Sequence, residues 1–314
     1  MRVSYAELHC VSNFSFLRGA SHPEELVERA LALGYSGLAL TDECSFAGAA
    51  RAHLALREAR ETHPDAASLR LVHGTELRLA DGTLLVLLAQ DREGYGNLSE
   101  LVTLARRAAP KGTYRIDRAM LEANVHLLER TLALFVPEPA RTDGSRGPVL
   151  DAAQLCDPCR WLRDLLGERA WIACTLVHGP DDARQLALLQ ELGRSCGMPL
   201  TAAGGVHMHI RGRKKLQDAL TAVRLREPLA QCGGRLFPNA ERHLRTLARL
   251  ARIYPAELLW EATQIAQRCS FSLDELRYEY PEEIVPAGET PTSYLRRVTR
   301  EAPHSAIRPA CRKR

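Results

Sequence analysis

Near its N-terminus the chain reads Leu8-His9-Cys10-Val11-Ser12-Asn13-Phe14-Ser15-Phe16-Leu17-Arg18-Gly19, a short apolar strand that runs into a polar loop. Alternate side chains of a strand share a face, so His9 and Val11 are expected to point the same way. A second histidine at position 11 would complete a pair of metal ligands, because neutral imidazoles on one face can converge on one cation. The valine there leaves His9 as half of such a pair.

Seven short apolar segments, including this one, alternate along the chain with helical patterns. After the opening strand, the predicted strands are residues 38–40, 71–77, 84–89, 132–136, 171–177 and 200–203. Strands that alternate with helices are typical of a parallel sheet whose crossovers are helical. We therefore predict an α/β fold in which seven strands close into a (β/α) barrel, followed by a short helical segment and a linker.

Polar side chains stand at several of the predicted strand ends. His9, Asp42, Glu76 and His207 all fall at or just beyond the end of a strand. In α/β barrels the functional residues lie at the carboxyl ends of the strands. We therefore expect any chemistry of this chain to be placed at these four side chains.

Local signals predict where helices begin. Ser21-His22-Pro23-Glu24 has the pattern of a capping box with proline early in the first turn. Asn97 is predicted to cap a helix over residues 97–107. Beyond residue 233 the pattern changes, because two helices at 240–253 and 255–269 follow each other without a strand between them.

Composition excludes several classes of protein. The chain is 46% hydrophobic, and it has no apolar run near the roughly 20 residues that would span a bilayer. Its N-terminus lacks the pattern of a secretory signal, so we expect a cytoplasmic protein that makes no membrane contact. Nine cysteines, an odd number spread along the chain, favour reduced thiols over a disulfide framework.

Two clusters have more than one interpretation. The net charge of +4 is too small to indicate nucleic-acid binding, but one dense basic cluster comprises Arg211, Arg213, Lys214 and Lys215. It is either a solvated helix face or a patch that contacts DNA phosphates. Cys156-Asp157-Pro158-Cys159 has zinc or redox spacing, yet two incidental cysteines on a helix explain it more simply.

Several long motifs occur together in a recognisable order. They are Glu7-Leu8-His9-Cys10-Val11-Ser12-Asn13-Phe14-Ser15-Phe16-Leu17-Arg18-Gly19-Ala20-Ser21-His22-Pro23, Thr41-Asp42-Glu43-Cys44, Asp91-Arg92-Glu93-Gly94-Tyr95-Gly96-Asn97-Leu98, Val206-His207-Met208-His209 and Pro238-Asn239-Ala240-Glu241-Arg242-His243-Leu244-Arg245. With these motifs the chain resembles the polymerase-and-histidinol-phosphatase (PHP) family of metal-dependent phosphoesterases. It is most similar to the N-terminal PHP domain of bacterial C-family DNA polymerases of the error-prone type, which resemble the DNA polymerase III alpha subunit.

The resemblance implies a degenerate metal site. In active members of the family, the site resembles a cage of histidines and carboxylates. It holds up to three divalent ions, which activate water for phosphoester hydrolysis. The matching ligands are His9, Asp42, Glu76 and His207. The positions where the family has further ligands carry Val11, Arg18, Glu43, Leu84 and Gly205. The four matching ligands imply at most a single bound zinc or manganese ion, or else hydrogen-bonded histidines without metal. The resemblance implies no catalytic residue in this chain.

The resemblance also implies a division of the chain and a function. We expect a PHP barrel over residues 1–233, a helical extension over 234–280, and over 281–314 the truncated start of a polymerase core with a disordered tail. The expected function is that of a scaffold within an error-prone DNA polymerase, whose nucleotidyl transfer needs Mg²⁺ in a palm domain beyond this chain. Its expected partners are the remainder of the polymerase polypeptide, DNA, other translesion proteins and the sliding clamp. The alternatives are a stand-alone PHP phosphoesterase and a non-functional remnant.

Overall fold

A computed structural model describes residues 4–62, 68–138, 150–276 and 285–301 of the chain. By its internal contacts the chain divides into one compact unit, Met1–Glu275, and a second unit, Leu276–Arg314. Of the region expected at 281–314, residues 281–284 and 302–314, which include the predicted tail, lie outside the described residues.

The compact unit is built on a seven-stranded sheet. In chain order the strands are β1 (Ala6–Cys10), β2 (Gly37–Leu40), β3 (Arg70–Arg78), β4 (Leu84–Ala89), β5 (Thr131–Phe135), β6 (Ala170–Cys174) and β7 (Leu200–Ala202). Each strand pairs with its neighbours in sequence, from β1 to β7. The α/β fold with a distorted seven-stranded barrel is therefore confirmed.

One strand departs from the predicted parallel sheet. β4 is antiparallel to both β3 and β5, whereas the other pairs are parallel. Only residues 79–83 separate β3 from β4, which is too short for a helical crossover. The Asp81 side chain accepts a hydrogen bond from the Thr83 N–H at 2.9 Å, and Gly82 has a φ of +92°. This is a turn that reverses the chain, so β3 and β4 form a hairpin.

The segment after β7 brings the sheet back to β1. Val206 N–H donates to the His9 carbonyl at 2.8 Å, and the Val11 N–H donates to the Val206 carbonyl at 2.9 Å. Two hydrogen bonds of this kind are less than a full strand pairing. The barrel is therefore nearly closed, and His207 lies next to the carboxyl end of β1.

Within the compact unit, helices lie against the sheet. In chain order the α-helices are α1 (Pro23–Ala32), α2 (Ala49–Thr62), α3 (Arg92–Arg107), α4 (Arg118–Ala123), α5 (Ala152–Leu166), α6 (Asp182–Cys196), α7 (Lys214–Leu225), α8 (Leu229–Cys232), α9 (Leu247–Ile253), α10 (Ala256–Gln267) and, in the second unit, α11 (Pro291–Glu301). None of the described helices is long and apolar enough to cross a membrane.

Three predicted helix starts were wrong. The capping box is one residue later than expected, because the Glu25 carboxylate accepts from the His22 N–H at 2.9 Å. Asp91 caps α3 by accepting from the Gly94 N–H at 2.9 Å, so Asn97 lies inside that helix. Residues 240–246 are not helical, and α9 begins only after its cap at Thr246.

Candidate functional site

Asp42 anchors the loop that follows β1. Its carboxylate accepts hydrogen bonds from the Ser12 N–H at 2.8 Å, the Ser12 hydroxyl at 2.7 Å and the Ser15 hydroxyl at 2.7 Å. Burial raises the pKa of Asp42, and the serine hydrogen bonds act in the opposite direction. At Gly19 a Cβ atom would lie 2.0 Å from the Ser12 carbonyl oxygen, so only glycine allows the loop to fold back. This packing carries Arg18 to the mouth of the barrel.

Arg18 bridges two carboxylates at that mouth. Its Nη1 donates to Glu76 Oε1 at 2.5 Å and to Glu43 Oε2 at 2.6 Å. Glu43 also accepts from the Tyr114 hydroxyl at 3.0 Å. Burial acts to lower the pKa of Arg18, but the charges of Glu76 and Glu43 outweigh it and raise that pKa above its ordinary value. The guanidinium therefore stays charged between its two acidic partners.

Glu76 has no free oxygen. Besides the Arg18 contact at Oε1, its Oε2 lies 2.6 Å from His9 Nε2. Burial acts to raise the pKa of Glu76, but the Arg18 charge and the His9 hydrogen bond outweigh it and hold that pKa well below the usual range. Glu76 is therefore an ionised carboxylate with both oxygens hydrogen-bonded.

His207 completes this cluster from the other side of the barrel mouth. Its Nδ1 lies 3.3 Å from the Arg18 carbonyl oxygen, and its backbone N–H donates to the Arg242 carbonyl at 3.0 Å. Burial lowers the pKa of His207 well below its ordinary value, and the nearby Arg242 charge adds to the effect. His207 is consequently a neutral imidazole, with its Nδ1 placed to donate to the carbonyl.

A second arginine lies beside Gly205, one of the positions where the resemblance implies a missing ligand. The Arg242 side chain donates to the Gly205 carbonyl at 3.3 Å, and its guanidinium stacks 4.5 Å from the Phe237 ring centroid. A Cβ atom on Gly205 would be only 2.5 Å from Arg242 Nη1, and the glycine has a φ of +55°. Arg242 thus occupies the space next to His207 that a side chain at position 205 would need.

These contacts do not fit a divalent cation. Asp42 uses both oxygens on serine donors, and Glu76 uses both on Arg18 and His9. A guanidinium contributes positive charge where a metal would have to be attracted, and ligands must be deprotonated and free to bind. Within the part of the chain that the structure describes, no three His, Cys, Asp or Glu side chains are grouped to hold a metal ion. The arrangement forms an ion-pair cluster in which no carboxylate is free to act as a base.

The four basic residues predicted to contact DNA lie together around the start of α7: Arg211, Arg213, Lys214 and Lys215. Arg213 forms an ion pair with Glu25, and Lys214 forms one with Asp218. Half of the positive charge is therefore neutralised within the molecule. DNA contact by this cluster stays a prediction.

The sequence predicts His9, Glu76 and His207 as site residues, and the structure brings these three together. It also predicts Asp42, whose carboxylate accepts hydrogen bonds from the loop after β1. The sequence gives no function for Arg242, Ser15 or Tyr114. Arg242 belongs to the segment 238–245 that carried part of the resemblance, but its side chain enters the site from a distant part of the chain. The glycine at position 205, where the resemblance implies a ligand, was the one available signal that another group fills the space.

Comparison with known families matches residues 7–156 to the PHP domain. Among similar curated relatives, the error-prone DNA polymerase of Azoarcus sp. (strain BH72) is 53% identical, over 94% of this chain and 28% of the relative. Those of Dechloromonas aromatica (strain RCB) and Methylococcus capsulatus (strain Bath) are 54% and 52% identical, over 94% and 95% of this chain and 27% and 26% of the relatives. The chain thus spans about a quarter of the length of the relatives that it matches.

Two solved structures are also similar. A structure described as a metal-dependent phosphoesterase from Bifidobacterium adolescentis is 16% identical, with a TM-score of 0.43 over 66% of this chain and 88% of the other. An amidohydrolase from Chromobacterium violaceum is 17% identical, with a TM-score of 0.46 over 65% of this chain and 87% of the other.

Proposed function

Because this chain is homologous to the N-terminal PHP region of error-prone DNA polymerases, we propose that it is the scaffold of such a polymerase and has no hydrolytic activity of its own. The PHP barrel supports the polymerase core instead of cutting phosphoesters. The homology, which covers most of the chain, supports the scaffold role. The geometry of the barrel mouth supports the lack of hydrolytic activity.

The contact between Arg18 and Glu76 is the observation that carries this proposal. A PHP phosphoesterase needs carboxylates and imidazoles that are free to hold metal ions. Here the buried carboxylate at the end of β3 is neutralised by an arginine of the same chain, at 2.5 Å. A fixed internal cation gives the carboxylate its counter-charge without any ligand, which suits a structural element.

The longer polypeptide, on this proposal, performs template-directed nucleotidyl transfer during translesion synthesis in the cytoplasm. Its metal would be Mg²⁺, held by acidic residues of a palm domain outside this chain. Residues 1–233 form the PHP barrel and 234–280 its helical extension, while 281–314 lead toward the polymerase core. Its partners would be the remainder of the polypeptide, DNA, other translesion proteins and the sliding clamp.

A phosphatase assay separates the scaffold from a stand-alone phosphoesterase. The purified chain should release no phosphate from p-nitrophenyl phosphate or from a 3′-phosphorylated DNA with zinc, manganese or iron. The Glu76→Gln variant is the matched control, because any contaminating phosphatase would give the same rate in both preparations. Hydrolysis that is present in the wild-type chain and lost in the variant would establish the phosphoesterase instead.

A chimera tests the positive part of the proposal. In the Azoarcus error-prone polymerase, the matching segment is replaced by this chain, and primer extension is measured beside the unaltered parent. We expect the chimera to extend primers and the isolated chain to extend none. Template-dependent incorporation by the isolated chain would contradict the proposal, as would a folded chimera that is inactive.

A further inference from the structure

Helix α7 turns its apolar side outward. Leu216 and Val223 are 40% and 61% exposed, and Leu220 between them is partly exposed. The three residues are spaced i, i+4 and i+7, so they form one stripe along the helix. A surface helix of a globular protein normally places such a stripe against the core. The arrangement in α7 is the reverse of that pattern.

The inward side of α7 is polar or small instead. Gln217, Thr221 and Ala222 are its buried residues. Gln217 donates from its side-chain amide to the Arg18 carbonyl at 3.4 Å, and the Thr221 hydroxyl donates to the Gln217 carbonyl at 2.9 Å. The Thr221 bond lies within the helix, whereas the Gln217 bond leaves it, so the buried side of α7 is polar or small and the leucine and valine stripe is not part of it.

Two further apolar residues, on the segments that flank α7 in sequence, are also exposed. Ile210, shortly before α7, is 38% exposed, and Leu229, at the start of the neighbouring α8, is 51% exposed. We call these five residues the α7 apolar surface: Ile210, Leu216, Leu220, Val223 and Leu229. Leu216, Leu220 and Val223 are neighbours by helical spacing, and neighbouring exposed apolar residues mark interaction sites, whereas single ones are normal.

A basic residue borders the stripe along the helix. By helical spacing Lys215 lies beside the stripe, and its side chain is exposed. An apolar strip beside a cation is complementary to an apolar strip beside a carboxylate. DNA fits less well, because protein surfaces that bind DNA are polar and charged through their centre.

From this surface we propose that α7 binds an amphipathic helix of a partner protein. The apolar face of that helix lies against Leu216, Leu220 and Val223, and an Asp or Glu side chain beside that face lies next to Lys215. This is recognition of a helix by apolar anchors at i, i+4 and i+7 spacing. The inference goes beyond the scaffold proposal and does not depend on it.

The probe is a fluorescent synthetic helix of about four turns, with leucines at i, i+4 and i+7 spacing flanked by glutamates. A second peptide has the same leucines flanked by lysines. By fluorescence anisotropy, we expect saturable binding of the glutamate peptide and weaker binding of the lysine peptide. Lys215→Glu should reverse this preference.

Val223→Glu tests the apolar contact at the most exposed position of the stripe. It should weaken binding of the glutamate peptide by about tenfold or more. Leu54→Glu is the matched control, since Leu54 is 43% exposed but lies on α2, outside the α7 apolar surface. This substitution should leave binding unchanged. Thermal unfolding of each variant shows that the fold is retained, as expected for exposed positions.

Three results would overturn the inference. The first is equal binding of both peptides, or binding that Val223→Glu does not weaken. The second is a labelled DNA oligonucleotide that binds at lower concentration than the peptide and depends on Lys215 but not on Val223. The third is a dimer in sedimentation velocity that Val223→Glu dissociates, which would make a second copy of this chain the occupant.

Discussion

Glu7 and Glu76 are two buried carboxylates of one barrel and, among the described residues, only Glu76 has a guanidinium within hydrogen-bond distance. They are 2% and 1% exposed. Glu7 is held by neutral donors, namely the Tyr5 hydroxyl at 2.9 Å and the backbone N–H groups of His9 and Gly204 at 3.0 and 2.8 Å. Glu76 instead contacts the guanidinium of Arg18 and the imidazole of His9.

The pKa values of these two groups shift in opposite directions. Burial dominates at Glu7 and raises its pKa, despite three kinds of hydrogen-bond donor. At Glu76 burial acts in the same sense, but the Arg18 charge outweighs it and the pKa is lowered. A full positive charge in contact therefore stabilises the ionised carboxylate of Glu76, whereas at Glu7 the hydrogen-bond donors and the charge of Arg245 do not outweigh burial. At the mouth of this barrel, Arg18 of the same chain supplies that positive charge.

The largest expected effect comes from removing the cation. Arg18→Met leaves Glu76 and Glu43 without their counter-charge, and breaking a buried ion pair in this way costs about 3–5 kcal/mol. We expect the free energy of unfolding, measured with urea at neutral pH, to fall by that amount. Arg78→Met is the control, because Arg78 pairs with Glu138 at the surface and such pairs contribute about 1 kcal/mol or less. Equal losses in the two variants would show that the Arg18 pair is not special.

A smaller effect separates the two carboxylates by pH. The folded-state pKa of Glu76 is depressed, so its stabilisation is present above the unfolded pKa of about 4.3 and is lost as the pH falls through the folded value. Glu76→Gln should therefore destabilise the chain by about 2 kcal/mol at neutral pH, and the difference from wild type should shrink in acid.

Glu7→Gln should show the opposite trend. The folded-state pKa of Glu7 is raised, so the wild-type chain loses stability as the pH rises from about 4.3 through that folded value. The glutamine amide does not ionise, so the variant does not lose this stability. Its free energy of unfolding relative to that of the wild type should therefore increase as the pH rises. Urea unfolding of both variants between about pH 3 and pH 7 measures the two trends. Parallel curves would contradict the electrostatic distinction between Glu7 and Glu76.

The smallest effect concerns the second arginine at the barrel mouth. Gly205→Ala places a Cβ on a residue with a φ of +55° and 2.5 Å from the flexible end of Arg242. We expect a loss of about 1–2 kcal/mol, from the left-handed backbone and the displaced guanidinium. Gly96→Ala, at an open position inside α3, should instead stabilise the chain by about 0.5–1 kcal/mol. Unfolding midpoints of the two variants that shift in the same direction would contradict this account.

The sequence predicted the positions of the strands better than their directions. Period and apolar runs located all seven strands, because a buried strand needs a continuous apolar segment. The antiparallel β4 was missed, although Asp81 and Gly82 in a five-residue connection are a turn signal. The helix starts at Pro23 and Arg92 were missed by one and five residues, since a cap depends on which side chain reaches the free N–H groups.

The sequence by itself determined that this chain is an α/β barrel with His9, Glu76 and His207 at strand ends, because period, spacing and residue type are local properties. Only the tertiary structure decided what those residues contact. Arg18 reaches Glu76 through the fold of one loop, and Arg242 reaches the space beside Gly205 from a distant segment. Whether a buried carboxylate meets a guanidinium or a row of neutral donors depends on side chains that converge in space, and spacing along the chain does not encode that convergence.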